Sequence, residues 1–344
     1  MRVARLFDRQ WSRAELLSRV GDLSQLAGIR LAEWSDGAER GVRVANLRTG
    51  SGFEFSVLLD RGMDLGPASF GGTPLAWLSP AGFSHPAHFE PQGLGWLRTF
   101  GGGLMTGCGL AHLGAPNEDE GESLGLHGRL SLLPARHVQS GEEWQGDECC
   151  FWVQGQMRQA RLFGENLRLT RRVSCWLGQS RLSVHDRVEN LAATPSPLMI
   201  LYHINLGFPL LDSSCQLVAQ PHAVRPRDNV AGPGIGEWMR FQPPTLGYSE
   251  QVFYHDLPAG SDGWAAITLR NPTLNLSLTV RFQKATLPNL IQWKMMGEGA
   301  YVLGLEPANC RVEGRSSERE QGTLQFLQPG EHRDFTLEIA VDEG

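Results

Sequence analysis

No stretch of the chain reaches the roughly 18 consecutive apolar residues that a membrane span requires. The opening residues, MRVARLFDRQWSRAELLSRV, also hold no apolar core of a secretory leader. A soluble, cytoplasmic protein with no membrane partner is the expectation. Basic excess is missing too: 31 Lys and Arg stand against 37 Asp and Glu, a formal net charge of −6. No face able to neutralise many phosphates is implied, which argues against nucleic acid as a partner. The six cysteines show no CxxC spacing. Adjacent Cys149 and Cys150 would point to opposite faces of a strand, so all six read as reduced, mostly buried thiols.

Several chemical motifs are also lacking. Arg98-Thr99-Phe100-Gly101-Gly102-Gly103 is glycine-rich but has no phosphate-loop order. No GxSxG nucleophile elbow occurs. His85 and His88 flank Pro86, which opposes a helix that would align them. Zinc needs three or four convergent ligands, so no metal is expected. Tyrosine is scarce, 4 residues beside 10 tryptophans, a ratio that suits either sugar-stacking platforms or a tryptophan-rich core. Glycine is abundant instead, 41 of 344 residues, and implies many turns, while 41% hydrophobic residues suffice for a full core.

One helix is expected near the start, with Ser12 capping residues 13–19 and Glu15 at the capping-box position. After it, period 2 dominates. Leu167, Leu169, Val173 and Cys175 alternate with Arg168, Thr170, Arg172 and Ser174. Leu182, Val184 and Val188 repeat the pattern, as do Leu274, Leu276, Leu278 and Val280, and then Phe335, Leu337, Ile339 and Val341. Such alternation marks half-buried antiparallel strands. Further strands are expected at 28–34, 42–47, 53–59, 148–157, 197–206, 263–270 and 300–306. No long amphipathic helices alternate with them, which argues against a parallel α/β sheet. The expectation is a mainly β protein, a large antiparallel β-sandwich with few short helices. It would form one domain over 1–344, with 1–41 as an N-terminal helix and strand extension. The acidic stretch Asn117 to Ser123 reads as a solvated loop.

Three polar residues occupy unusual places. His203 lies in the apolar run LMILYHINL, sharing a face with Leu201 and Asn205, while Tyr202 and Ile204 point the other way. Glu306 ends the run YVLGLE on the face of Gly304, which would leave open space beside the carboxylate. Buried imidazoles and carboxylates are costly without partners, so each is either a satisfied core group or functional. His127 sits in Leu124-Gly125-Leu126-His127-Gly128-Arg129, where the flanking glycines permit close approach of a ligand or of another backbone.

The order of these pieces resembles the aldose 1-epimerase, or galactose mutarotase-like, superfamily. They are Leu59 to Asp64, Leu126 to Arg129, Arg172-Val173 through Gly178, Val188-Glu189-Asn190-Leu191, Pro197 to His203, and Leu303-Gly304-Leu305-Glu306-Pro307. Phe100 to Leu110 and Glu250 to Asp256 look most like the uncharacterised bacterial aldose 1-epimerase-like branch. The resemblance implies a β-supersandwich that holds a monosaccharide on a concave face. It implies that Glu306 is the general base, His203 the general acid and His127 a second histidine on the sugar, with no cofactor. The chain departs from better-known members in its polar groups. Arg98 or Arg129 would have to replace their sugar-binding arginine, and Glu250, His255 or Asp256 their mid-chain aspartate. Gln292, Trp293 and Lys294 lie where the family places substrate-facing residues, and Asn205 shares the face of His203. Arg98, Arg129 and Lys294 could meet an anionic group on the sugar or be ordinary surface charges. The implied activity is interconversion of the α and β anomers of a free aldose. A non-catalytic sugar-binding or sensing protein, and a carbohydrate lyase or hydrolase, are the alternatives. The oligomeric state is left open.

Overall fold

The computed structural model describes residues 4–343; the outermost positions of the expected 1–344 unit lie outside the described residues. Two antiparallel sheets dominate. The smaller has eight strands, in the order Arg136–Gln145, Glu148–Ala160, Asn166–Trp176, Arg181–Asn190, His332–Glu343, Leu276–Gln283, Trp264–Asn271 and Gln216–Val218. The larger has eleven. Its centre runs Gln251–Asp256, Asn289–Gly297, Ala300–Ala308, Met199–Gly207 and Met105–Leu110, and it continues through Asp64–Phe70 to the edge strand Gly28–Glu33.

The period-2 runs become these strands because each carries one apolar face. Asn166–Trp176 alternates half-exposed and buried along its whole length, and Leu167, Leu169, Val173 and Cys175 join a cluster that extends from Ala4 to Val341. Inward residues of the larger sheet, including Tyr202, Ile204, Leu303 and Leu305, belong to the same cluster. At 25 cal/mol per Å² or so, burial of this kind is the main favourable term in folding.

A buried ion pair interrupts this apolar inward surface. Arg171 and Asp186 stand directly opposite each other on neighbouring strands, both fully buried. Arg171 Nη2 donates to Asp186 Oδ2 at 2.7 Å, and Tyr202 Oη donates to the same oxygen at 2.8 Å. Arg171 also donates to the Gly62 carbonyl at 3.0 Å and lies 3.5 Å from Asp64. The Asp64 carboxyl accepts from the Gly107 amide at 2.8 Å, and burial pushes its pKa up to about 7. This network ties the two sheets together directly behind the strand that carries His203.

Local expectations fare unevenly. Ser12 and Glu15 form the capping box, but the helix is Arg13–Leu17, shorter than 13–19. Leu274 falls outside its strand, because Asn275 adopts φ +54 in the preceding turn and the strand begins at Leu276. Asn117 to Ser123 is not a free loop. It forms a hairpin, Asn117–Asp119 with Glu122–Leu124, whose buried Asp119 accepts from Arg315 at 2.6 Å and Arg319 at 2.7 Å of the short helix Arg315–Glu320. Pro86 starts a single 3-10 turn, Pro86–His88, and the His85 ring caps it by accepting from the Ala87 amide. All six cysteines are free and buried. No helix among the described residues is long and apolar enough to cross a membrane.

Candidate functional site

The site is built on the face of the larger sheet that points away from the smaller one. Ile204 pairs with Leu305 and Leu201 with Ala308, a register that sets His203 directly opposite Glu306. Directly opposed residues project to the same face. His203 Nε2 lies 3.2 Å from Glu306 Oε1, with both side chains almost wholly buried. The ring N–H is not aimed at the carboxylate, so Oε1 lacks a hydrogen bond, as does His203 Nδ1. Each such buried atom costs about 1–3 kcal/mol, and functional sites are where that cost persists.

Burial dominates the electrostatics of the pair. It pushes Glu306 up to about 8, assisted by the negative charge of Glu250 and opposed by Arg227. It pushes His203 down to about 4, opposed by the Asn205 side chain. Between these values Glu306 holds its proton and His203 is a neutral imidazole, so the pair carries one titratable proton.

The next strand supplies a wall. Trp293 pairs with Gly304 and Ile291 with Glu306, so both project beside the carboxylate. A cavity of about 630 Å³ opens here, and Trp77, Trp96, Phe100, His127, Trp293 and Glu306 are among its lining residues. The aromatic rings surround His203: Phe100 lies at 5.2 Å and Trp293 at 5.4 Å between ring centres. His127 packs on Trp96 at 4.7 Å and meets His203 edge-on at 6.0 Å. Its backbone is left-handed at φ +56 and is held by bonds from its amide to the Gly114 carbonyl and to its carbonyl from the Gly109 amide. Burial first, then the proximity of His203 and His112, pushes its pKa down to about 3.

The two glycines singled out in the sequence have tighter jobs than leaving room for a ligand. A Cβ on Gly128 would lie 2.2 Å from the His112 carbonyl oxygen, so backbone fills that space. A Cβ on Gly304 would lie 2.5 Å from Glu306 Oε1, so the carboxylate itself fills the other.

His203, Glu306, His127, Trp293 and Glu250 therefore converge on one cavity. Seven other expected site residues do not line it. Arg98 is exposed and paired with Glu90 at 3.3 Å, and Arg129 is exposed over the Phe89 ring. Asp256 is exposed and paired with Lys284. His255, Gln292 and Lys294 lie on the opposite face from Val252, Ile291 and Trp293, because successive strand residues alternate. Gln292 Oε1 accepts from His255 Nε2 at 2.9 Å, and Gln292 Nε2 donates to the Trp238 carbonyl. Lys294 donates to the carbonyls of Glu237 and Arg240. Asn205 shares the face of His203 but is tied to backbone, donating to the Gly103 and His203 carbonyls.

The cavity's arginine is Arg227, which the sequence reading missed. Its amide bonds the Val252 carbonyl just beyond the short strand Ala223–Pro226. Its Nη2 donates to Glu250 Oε1 at 3.2 Å, and Trp293 Nε1 donates to Glu250 Oε2 at 2.8 Å.

The profile of a family described as a domain of unknown function, DUF4432, matches residues 39–341. The chain belongs to this family. Among solved structures, it is similar to a candidate aldose 1-epimerase from Klebsiella pneumoniae, with 25% identity and a TM-score of 0.86 over 91% of this chain and 83% of that one. It also shares its fold with a galactose mutarotase-like protein from Clostridium acetobutylicum, at 12% identity and a TM-score of 0.60 over 93% and 100% of the chains. Galactose 1-epimerase from Lactobacillus acidophilus matches at 14% identity and a TM-score of 0.58 over 92% and 99%. No curated protein sequence matches. This DUF4432 member is thus a mainly β protein with a galactose mutarotase-like fold, as the order of its sequence motifs implies.

Proposed function

We propose that the protein interconverts the α and β anomers of a free aldose, with Glu306 and His203 as the acid–base pair. The observation that carries this reading is the juxtaposition of the two groups, 3.2 Å apart in an aromatic-walled cavity. Ring opening requires the C1 hydroxyl to lose a proton while the ring oxygen gains one. Once Glu306 has passed its proton to His203 across the 3.2 Å between them, the carboxylate takes the first and the imidazolium supplies the second. The C1–O5 bond then breaks as C1 becomes a carbonyl carbon. Rotation about C1–C2 and reclosure, with both protons returned, yield the other anomer. No electrons are gained or lost, and the one-proton state of the pair has the right stoichiometry. The exposed edge of Trp293 and the rings of Trp96 and Phe100 provide apolar faces suited to a sugar ring, and His127 supplies a neutral imidazole to a hydroxyl.

Saturation-exchange NMR across a panel of aldoses tests the proposal. The protein should accelerate exchange, and Glu306→Gln or His203→Gln should cut the rate by about 10²–10⁴-fold. Equal rates for wild type and both variants refute it. One observation favours a second reading, glycoside hydrolysis: two carboxylates, Glu250 and Glu306, line the same cavity. Hydrolysis uses carboxyl pairs about 5–9.5 Å apart, and release of a reducing sugar from a glycoside would select it.

A further inference from the structure

We infer that Arg61 is a positioning residue: a buried guanidinium that cross-bonds the two limbs of the loop 80–100 and so holds Trp96 and Phe100 against His127 and His203. Its effect on rate rests on the anomerase reading above; its hold on the loop does not.

The loop is long for a segment with so little structure of its own. It contains two single 3-10 turns, Pro86–His88 and Gly95–Arg98, and unstructured loops beyond about 12–15 residues are usually functional or disordered. Its ends are tied together: the Ser79 amide donates to the Gly101 carbonyl and the Gly103 amide to the Trp77 carbonyl. Its second limb supplies Leu94, Trp96, Leu97 and Phe100 to the cavity wall. Trp96 and Phe100 stack at 4.3 Å, one against His127 and the other against His203.

Arg61 reaches this loop from beneath. It sits in the turn between the strands Phe53–Leu58 and Asp64–Phe70 and is 2% exposed. The turn is firmly fixed: the Arg61 amide donates to the Leu58 carbonyl and the Gly62 amide to the Leu133 carbonyl, and a Cβ on Gly62 would lie 2.6 Å from the Leu130 carbonyl oxygen. From that base Arg61 Nη1 donates to the Ser84 carbonyl, on the first limb, and Nη2 to the Thr99 carbonyl, one peptide before Phe100. Glu39 bonds the Phe83 amide and Ser131 the Trp96 ring, but among the described residues no other side chain outside the loop hydrogen-bonds both limbs. No contacting carboxylate answers the charge: Asp64 and Glu39 act on Arg61 only at a distance, and its Nε has no partner. Packing alone would be served as well by an apolar side chain of that size. What such a chain lacks is the planar fork, which offers two directed, charged donors to carbonyls on separate limbs.

Amide hydrogen exchange read by mass spectrometry tests the loop without any assumption about chemistry. Arg61→Met should raise exchange across 84–100 at least about tenfold while both sheets keep wild-type protection. Arg61→Lys, which keeps the charge but not the fork, should fall between the two. In saturation-exchange NMR of glucose and galactose, Arg61→Met should lower kcat about tenfold or more, and Arg61→Lys should recover part of the loss. Wild-type loop exchange in a folded methionine variant, loosening spread evenly over both sheets, or a lysine variant no better protected than the methionine one overturns the proposal. So does a loosened loop with kcat unchanged. If Arg61→Met does not fold, Arg61→Lys decides alone: faster exchange confined to 84–100 upholds the cross-bond, and a lysine variant that matches wild type or is wholly unfolded overturns it. A loosened loop in a protein that accelerates no anomer exchange upholds the hold on the loop and removes the anomerase reading. Acceleration by wild type and variants alike, with an unaltered loop, does the reverse.

Discussion

Replacing Gly304 by alanine measures how closely Glu306 must be held. The added Cβ would lie 2.5 Å from Glu306 Oε1, 2.9 Å from the Trp293 Cβ and 3.4 Å from the His203 Cε1. The Trp293 Cβ is anchored to its strand and yields little, whereas the carboxylate is the free end of a flexible side chain. Restoring a contact of about 3.4 Å therefore moves the oxygen by about 1 Å, and a misplacement of that size costs about 10²-fold in rate. Crowding against Trp293 adds about 1–3 kcal/mol of destabilisation, too little to unfold a protein of ordinary stability. The assay pairs NMR exchange rates, corrected for spontaneous mutarotation, with the thermal midpoint and the affinity for a neutral aldose. The expected result is a large fall in kcat with a folded protein that still binds sugar. An alanine variant with exchange within about threefold of wild type would refute the reasoning, because a 1 Å displacement should not be that cheap.

Acid–base chemistry predicts the pH profile. Glu306 is raised to about 8 and His203 lowered to about 4. Exchange should therefore be flat between these values, falling above about 8 as the pair loses its last proton and below about 4 as it gains a second; a rate still climbing past pH 9 contradicts a shared proton. In the core, Arg171→Met leaves Asp186 and Asp64 buried without their countercharge and should cost about 3–5 kcal/mol in denaturant unfolding. The double variant Arg171→Met with Asp186→Leu should recover part of that loss, and equal costs for both would contradict the ion-pair account.

Period 2 was legible because each strand buries one face. The reading of those runs passed over Arg171 and Asp186, which fall on otherwise apolar faces of adjacent strands with opposite charges and whose pairing only the register shows. His203 and Glu306 stood out as polar residues in apolar strands. The same periodicity separates Trp293, on the cavity side, from Gln292 and Lys294, so a strand segment cannot offer three consecutive residues to one ligand. Arg227 left no comparable signal, because a four-residue edge strand ending in Pro226 is too short to show alternation. Arg98 and Arg129 sit at the ends of short 3-10 turns, where both are exposed and no periodicity announces a direction.

Local alternation and motif order, which depend only on neighbouring residues, determined the β architecture, the family resemblance and three of the chemical groups. Register between strands distant in sequence was decided by tertiary structure. His203 and Glu306 are 103 positions apart, and only the pairing of Met199–Gly207 with Ala300–Ala308 sets them face to face. Charge balance was likewise a three-dimensional matter. The net composition of the chain says nothing about a cavity in which Arg227 and Glu250 pair at 3.2 Å beside a buried Glu306, because Coulomb interactions depend on separations that folding alone establishes.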